Sequence, residues 1–259
     1  MPRSIGPRKG WLLIAGGGTL GPEICQRFNS LAGGSHGQLV LIPTAVPDNE
    51  LTAEYMRELH PRYAELFGIR NVVVLHTRDR LQANSEDFVR PLRHASAVWM
   101  IGGRHWRLAD AYLGTRTEQE FKAVLERGGV VGGTSAGATI QGSYMVRGAS
   151  GNVSDPDGDN TILMSPGHEV GFGFLQKITI DQHVMVRHRE NDLPKVIQVH
   201  PELLGIGIDE GTAIVVHGDE FEVIGISKVT IVDGEDHGGK GYYFLSRGQN
   251  FDLRRRVAK

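Results

Sequence analysis

Cysteine is nearly absent: Cys25 is the only one among 259 residues. No intrachain disulfide can form, so folding does not depend on an oxidising compartment. Apolar neighbours on an expected helix make Cys25 a small buried hydrophobe. Long apolar runs are missing as well. Residues 11–15 form the first such run; it is far short of the ~20 residues of a membrane span and too short for a signal peptide. The expectation is a cytoplasmic protein with no membrane partner. Neither sign of charge is in excess, since 28 Lys and Arg face 30 Asp and Glu, for a formal net charge of −2. Such a balance exerts no overall pull on nucleic acid or anionic lipid, and no nucleic-acid partner is expected. The sequence contains no H-E-x-x-H and no Cys/His cluster, so neither a metal nor another cofactor is expected. Asp155-Pro156-Asp157-Gly158-Asp159 looks like the start of a calcium loop. Its glycine comes too early and no glutamate closes it, so it reads as a turn.

Glycine is plentiful: 35 residues, about twice the usual share, which points to many tight turns and close backbone approaches. Short apolar runs at 11–15, 38–42, 71–75, 97–101 and 130–131 alternate with helical patterns at 22–31, 50–67, 85–93 and 117–127. Thr117-Glu118-Gln119-Glu120 reads as a capping box opening the last of these helices. The alternation predicts an α/β fold with a doubly wound, mostly parallel sheet flanked by helices and a site at the strand C-terminal ends. Residues 149–173 read as a long surface excursion. A strand-rich C-terminal part follows at 175–180, 204–208, 213–217, 220–226 and 229–232. The whole chain, 1–259, is expected as one domain, with 1–9 and 247–259 as flexible tails. A domain of this length buries roughly 70–75% of its unfolded surface.

Gly133-Thr134-Ser135-Ala136-Gly137 is a G-x-S-x-G elbow between a strand and a helix start. The tight turn exposes the serine, and the helix N-terminus offers N–H groups to an oxyanion. A serine nucleophile needs a base within reach and a group to orient that base. Among 11 histidines, His183 stands where the strand at 175–180 would return to the site. Glu210, just past the apolar strand 204–208, can orient it. The order along the chain, Ser-His-Glu, differs from the Ser-acid-His order of α/β-hydrolases.

Gly132-Gly133-Thr134-Ser135-Ala136-Gly137-Ala138, Asp181-Gln182-His183 with Arg187 and Arg189, and Gly207-Ile208-Asp209-Glu210-Gly211-Thr212-Ala213 together resemble the cyanophycinase and dipeptidase E family of serine peptidases. The likeness runs from about Gly10 to Gly234, with the motifs in the same order. It implies a fold like class I glutamine amidotransferases (flavodoxin-like), with serine in place of the cysteine nucleophile, and a homodimer. It also implies hydrolysis, through an acyl-enzyme, of cyanophycin (arginine-bearing poly-aspartate) or a related aspartyl isopeptide. Ser135 would be the nucleophile, His183 the base and acid, Glu210 the orienting carboxylate, and the Gly103 and Ala136 N–H groups the oxyanion hole. Substrate would meet His105, Asp181, Gln182, Arg187 and Arg189. Arg187 and Arg189 suit carboxylates, while Asp181 and Gln182 could accept from a guanidinium. The chain has His105 and Asp192 where the family pattern has glutamine and arginine. An aspartate there would repel a polyanion, which predicts poor cleavage of the polymer or a preference for shorter isopeptides.

Two other readings share these residues. One is a non-catalytic protein that binds a peptide or amino acid on the same fold. The other is a nucleotide-binding enzyme using Gly16-Gly17-Gly18-Thr19-Leu20-Gly21, a G-x-G-x-x-G loop after a first strand. Ile42-Pro43-Thr44 supplies no acid at the end of the second strand, which leaves this loop as a wall of the cleft.

Overall fold

The computed structural model describes residues 4–148 and 162–259; the calcium-loop-like segment at 155–159 lies outside them. The early apolar runs form β1 (Trp11–Ala15), β2 (Gln38–Ile42), β3 (Asn71–Val74), β4 (Ala97–Met100) and β5 (Val130–Thr134). They pair in parallel in the order β1-β5-β4-β2-β3. β1, β2 and β4 are apolar almost throughout because both of their faces are covered. On one face lie α1 (Pro22–Leu31) and α2 (Ala53–Phe67), whose Phe28 and Phe67 each meet Trp99 edge-on at 4.9 Å. On the other lie α3 (Arg80–Ala83), α4 (Glu86–His94), α5 (His105–Tyr112) and α6 (Arg116–Glu126). Ser85 caps α4 by accepting from the Phe88 N–H. The expected capping box at Thr117 does not form: α6 begins one residue earlier, after Thr115. Thr117 instead donates to the Ala83 carbonyl, and Glu118 accepts from the Gly114 N–H.

The second half builds a different layer. After the single-turn α7 (Ala136–Thr139), β6 (Gly142–Met145), β7 (Leu175–Gln182) and β8 (Leu204–Ile208) run parallel. β9 (Thr212–His217) and β10 (Glu220–Gly225) form a hairpin that joins the first sheet antiparallel to β1. β11 (Lys228–Val232) extends the second sheet antiparallel to β8, and β12 (Tyr243–Ser246) pairs antiparallel with β11. The result is a mixed α/β protein whose described residues form a nine-stranded and a five-stranded sheet, not one mostly parallel sheet. The difference follows from connection length: Gly218-Asp219 alone joins β9 to β10, and a two-residue link permits only an antiparallel return. The sheets share one core, with Leu12 and Ile14 in the same cluster as Ile178, Ile180, Ile206 and Ile208. Over the second sheet, α8 (Leu193–Val199) packs Leu193 and Ile197 with Val146 and Val232.

Residues 247–259, expected as a loose tail, contribute β13 (Asn250–Asp252) and β14 (Val257–Ala258) to the first sheet. Phe251 is buried and stacks on Phe221 at 5.1 Å. At the other end, the Ile5 N–H donates to Asp219 Oδ1. Cys25 is buried on α1. No helix among the described residues is long and apolar enough to cross a membrane.

Candidate active site

Ser135 sits directly after β5 at φ 54°, ψ −112°, outside the usual regions for a side-chain-bearing residue. Holding a residue there costs on the order of 1–3 kcal/mol and persists only where its surroundings fix it. Here the Ser135 N–H donates to the Ala15 carbonyl at 3.1 Å, while its own carbonyl accepts from Ala138 and Thr139. The helix behind it is the four-residue α7. At Ala136 stands the first N–H of a helical turn, which has no intrahelical acceptor.

The second sheet brings the histidine. β7 ends at Gln182, and His183 follows at φ 56° with its N–H donating to the Gly16 carbonyl. Ser135 Oγ lies 2.9 Å from His183 Nε2, and His183 Nδ1 lies 2.5 Å from Glu210 Oε1. The carboxylate can only accept, so Nδ1 carries the proton and Nε2 is left to accept from the serine. Burial lowers the His183 pKa below the ordinary histidine value; the Glu210 hydrogen bond opposes this, and the positive Arg187 reinforces it. The imidazole is therefore neutral near pH 7, the form in which Nε2 can accept a proton.

The loop after β1 explains its glycines by contact. A Cβ on Gly17, at φ +120°, would stand 2.1 Å from His183 Cε1, and one on Gly18 would stand 2.6 Å from Glu210 Oε2. The G-x-G-x-x-G segment is thus packed against the histidine and glutamate. Gly102 lies close to Ser135, whose Cβ would be 3.4 Å from an added Cβ. Gly103 (φ +137°) lies against Ala45, whose carbonyl would be 2.2 Å from a Cβ, so only glycine permits this turn. Next to Gly18 and Thr134, an open cleft of about 570 Å³ runs toward Arg62 and Glu65 of α2.

Several residues expected to touch substrate are turned inward. His105 is buried, with Nε2 donating to the Arg147 carbonyl at 2.7 Å, and burial pushes its pKa down to about 4. Asp181 is fully buried and does accept from a guanidinium, but from Arg147 of the same chain at 2.6 and 2.7 Å. Arg189 is buried too, its Nη1 donating to the Gln182 carbonyl at 3.2 Å. Burial, with Arg147 nearby, lowers its pKa to about 10. The buried Gln182 side chain has no hydrogen-bond partner for Oε1 among the described residues. Arg187 alone of these five is exposed. Asp192 is held by Arg147 Nη2 at 2.8 Å and Lys195 Nζ at 3.2 Å, so its charge is already compensated. Sequence reasoning missed Arg147: Val146-Arg147-Gly148 carries no motif, and its two acidic partners lie 34 and 45 residues away.

A model of peptidase family S51 matches residues 12–224. Over 220 residues, 83% of this chain and 76% of the relative, the chain is 36% identical to a cyanophycinase from Geminocystis herdmanii. A Nostoc cyanophycinase is 30% identical over 259 residues, 92% of this chain and 82% of that one. Among solved structures, a peptidase from an acI-B1 actinobacterium superimposes with a TM-score of 0.70 at 23% identity, covering 95% and 98% of the two chains. A putative peptidase E protein from Listeria monocytogenes gives 0.54 at 17% identity, covering 84% and 99%. The chain belongs to peptidase family S51. It is a peptide-bond hydrolase with a cyanophycinase-like sequence.

Proposed function

We propose that this chain is a serine exopeptidase that hydrolyses cyanophycin or a closely related aspartyl isopeptide through an acyl-enzyme. The observation that carries the mechanism is the line Ser135 Oγ–His183 Nε2–Glu210 Oε1, with spacings of 2.9 and 2.5 Å. In this reading Ser135 Oγ attacks the scissile carbonyl while His183 Nε2 takes its proton. The oxyanion lies toward the N–H groups of Gly103 and Ala136. The proton then passes to the leaving amine, and a water activated by the same histidine releases the acyl group. Glu210 keeps the imidazole in the required tautomer throughout. Exposed Arg187 supplies a cation for a substrate carboxylate. The arrangement fits a class I glutamine amidotransferase-like core in which serine replaces cysteine.

A fluorophosphonate probe and a digest tested together check this reading. Ser135 should be the labelled residue, and purified cyanophycin should yield aspartyl-arginine dipeptides by mass spectrometry. Absence of labelling on folded protein overturns the mechanism. Labelling without cleavage of cyanophycin, but with cleavage of short aspartyl isopeptides, overturns the polymer as substrate.

A further inference from the structure

Arg147 lies outside the triad and follows β6, and it is 1% exposed. Its Nε and Nη2 donate to the two oxygens of Asp181 at 2.6 and 2.7 Å, and Nη2 also reaches Asp192 Oδ2 at 2.8 Å. A two-pronged contact of this kind fixes angle as well as distance. On its main-chain side the Arg147 carbonyl accepts from His105 Nε2 at 2.7 Å, and its N–H donates to the Ile162 carbonyl at 3.1 Å. The backbone is left-handed, at φ 70°, which is uncommon for a residue with a side chain.

The contacts with His105, Asp181 and Asp192 lead to the site. His105 opens α5, two residues after Gly103. Asp181 stands two residues before His183 on β7, and its Oδ1 also accepts from the Gln182 N–H at 2.9 Å. The Asp192 N–H donates to the Arg189 carbonyl, in the segment that carries Arg187. One buried residue thus ties the loop with the oxyanion donor to the strand that delivers the base and to the segment bearing the substrate-side cation.

We infer that Arg147 is a positioning residue for the hydrolysis proposed above, setting the spacing between the Gly103 N–H and His183 through His105 on one side and Asp181 on the other. The inference rests on that reading of the triad. An ion pair that served stability alone would leave the turnover of folded molecules untouched.

The test uses Arg147→Ala and the double variant R147M/D181N, which leaves no unpaired buried charge from the Arg147–Asp181 pair and so keeps the fold within reach if the single variant fails. In folded protein, kcat should fall about 10- to 100-fold, with KM within about threefold of the parent. Fluorophosphonate labelling of Ser135 should slow in proportion. Low-millimolar guanidinium should restore part of the turnover of Arg147→Ala, and sodium chloride at equal strength should not. A folded double variant with parental kcat and labelling rate overturns the inference and leaves the triad standing. A parent that neither labels nor turns over substrate overturns the triad, and this inference with it.

Discussion

The nine-stranded sheet presents Ser135 on backbone held by main-chain hydrogen bonds, whereas the five-stranded sheet presents His183 beside buried charges. On the first side the Ser135 N–H is tied to Ala15, and the strand beneath it is packed under Trp99 so tightly that a Cβ on Gly132 would come within 2.5 Å of the ring. On the second side Asp181 pairs with Arg147, while Asp209 accepts from the Met185 and Val186 N–H groups and from Ser227 Oγ. Apolar packing and main-chain bonds do not titrate. Charge networks in a low-dielectric interior do, and they are costly when half broken. The nucleophile should therefore tolerate changes of charge and pH that disturb the base. Chemistry lost on the first side should leave stability intact, whereas changes on the second side should move both.

The largest effect tests the first side alone. Ser135→Ala should lower kcat by on the order of 10⁶, with the melting temperature almost unchanged. The hydroxyl's contact in the structure is with His183, and the backbone bonds that hold the turn remain. Retention of more than a tenth of the activity, or a large drop in melting temperature, breaks the comparison at its first term.

Gly17→Ala probes the contact between the sides. Its Cβ cannot share space with His183 Cε1, so the ring must shift from the position that puts Nε2 2.9 Å from Ser135 Oγ. A displacement near 1 Å costs about 10²-fold in rate. The expected result is loss of kcat together with a lower melting temperature, because alanine at φ +120° is itself strained. Parental activity in this variant would show that the glycine loop does not confine the histidine.

Legibility in the sequence divides along the same line. β1 and β2 have the expected bounds, because a strand buried on both faces is an uninterrupted apolar run. β6 was not expected: Gly142 and Ser143 break the apolar pattern. α8 went unread, its seven residues being too short for a periodic signal. At the site, Ser135, His183 and Glu210 could be singled out because each follows a recognisable strand end, and the structure brings them together. The inward turn of His105 and Asp181 could not be read, since both pair with Arg147, nor could that of Arg189, whose Nη1 donates to the Gln182 carbonyl. A single arginine has no periodicity or spacing that distinguishes a buried strut from a solvated surface group.

Asp192 sharpens the comparison from the second side. Read from sequence it repels a polyanion, but in the structure its carboxylate is spent on Arg147 and Lys195. Asp192→Arg would set a second guanidinium against Arg147 where an attractive contact stood. Activity on cyanophycin should therefore fall, by roughly 10-fold if the 1–3 kcal/mol of a charged hydrogen bond is lost, and the melting temperature should fall with it. A rise in kcat/KM on cyanophycin would mean that electrostatic attraction of the polymer outweighs the internal pairing.

The last expected effect is one of stability and lies at the join between the sides. An unfolded histidine titrates near 6.5, and burial holds His105 down to about 4. Between those values the unfolded chain binds a proton that the folded chain refuses, so stability is lost as pH falls from 6.5 toward 4. The full span is worth roughly 3 kcal/mol. Glutamine at this position can still donate to the Arg147 carbonyl but cannot take up the proton. His105→Gln should match the parent at pH 7.5 and exceed it progressively below pH 6 in denaturant titrations at a series of pH values. His183 and the carboxylates are present in both proteins, so the difference between the two curves isolates His105. Parallel curves across that range would mean that the imidazole is not held neutral, and that the tie between the oxyanion loop and Arg147 survives its protonation.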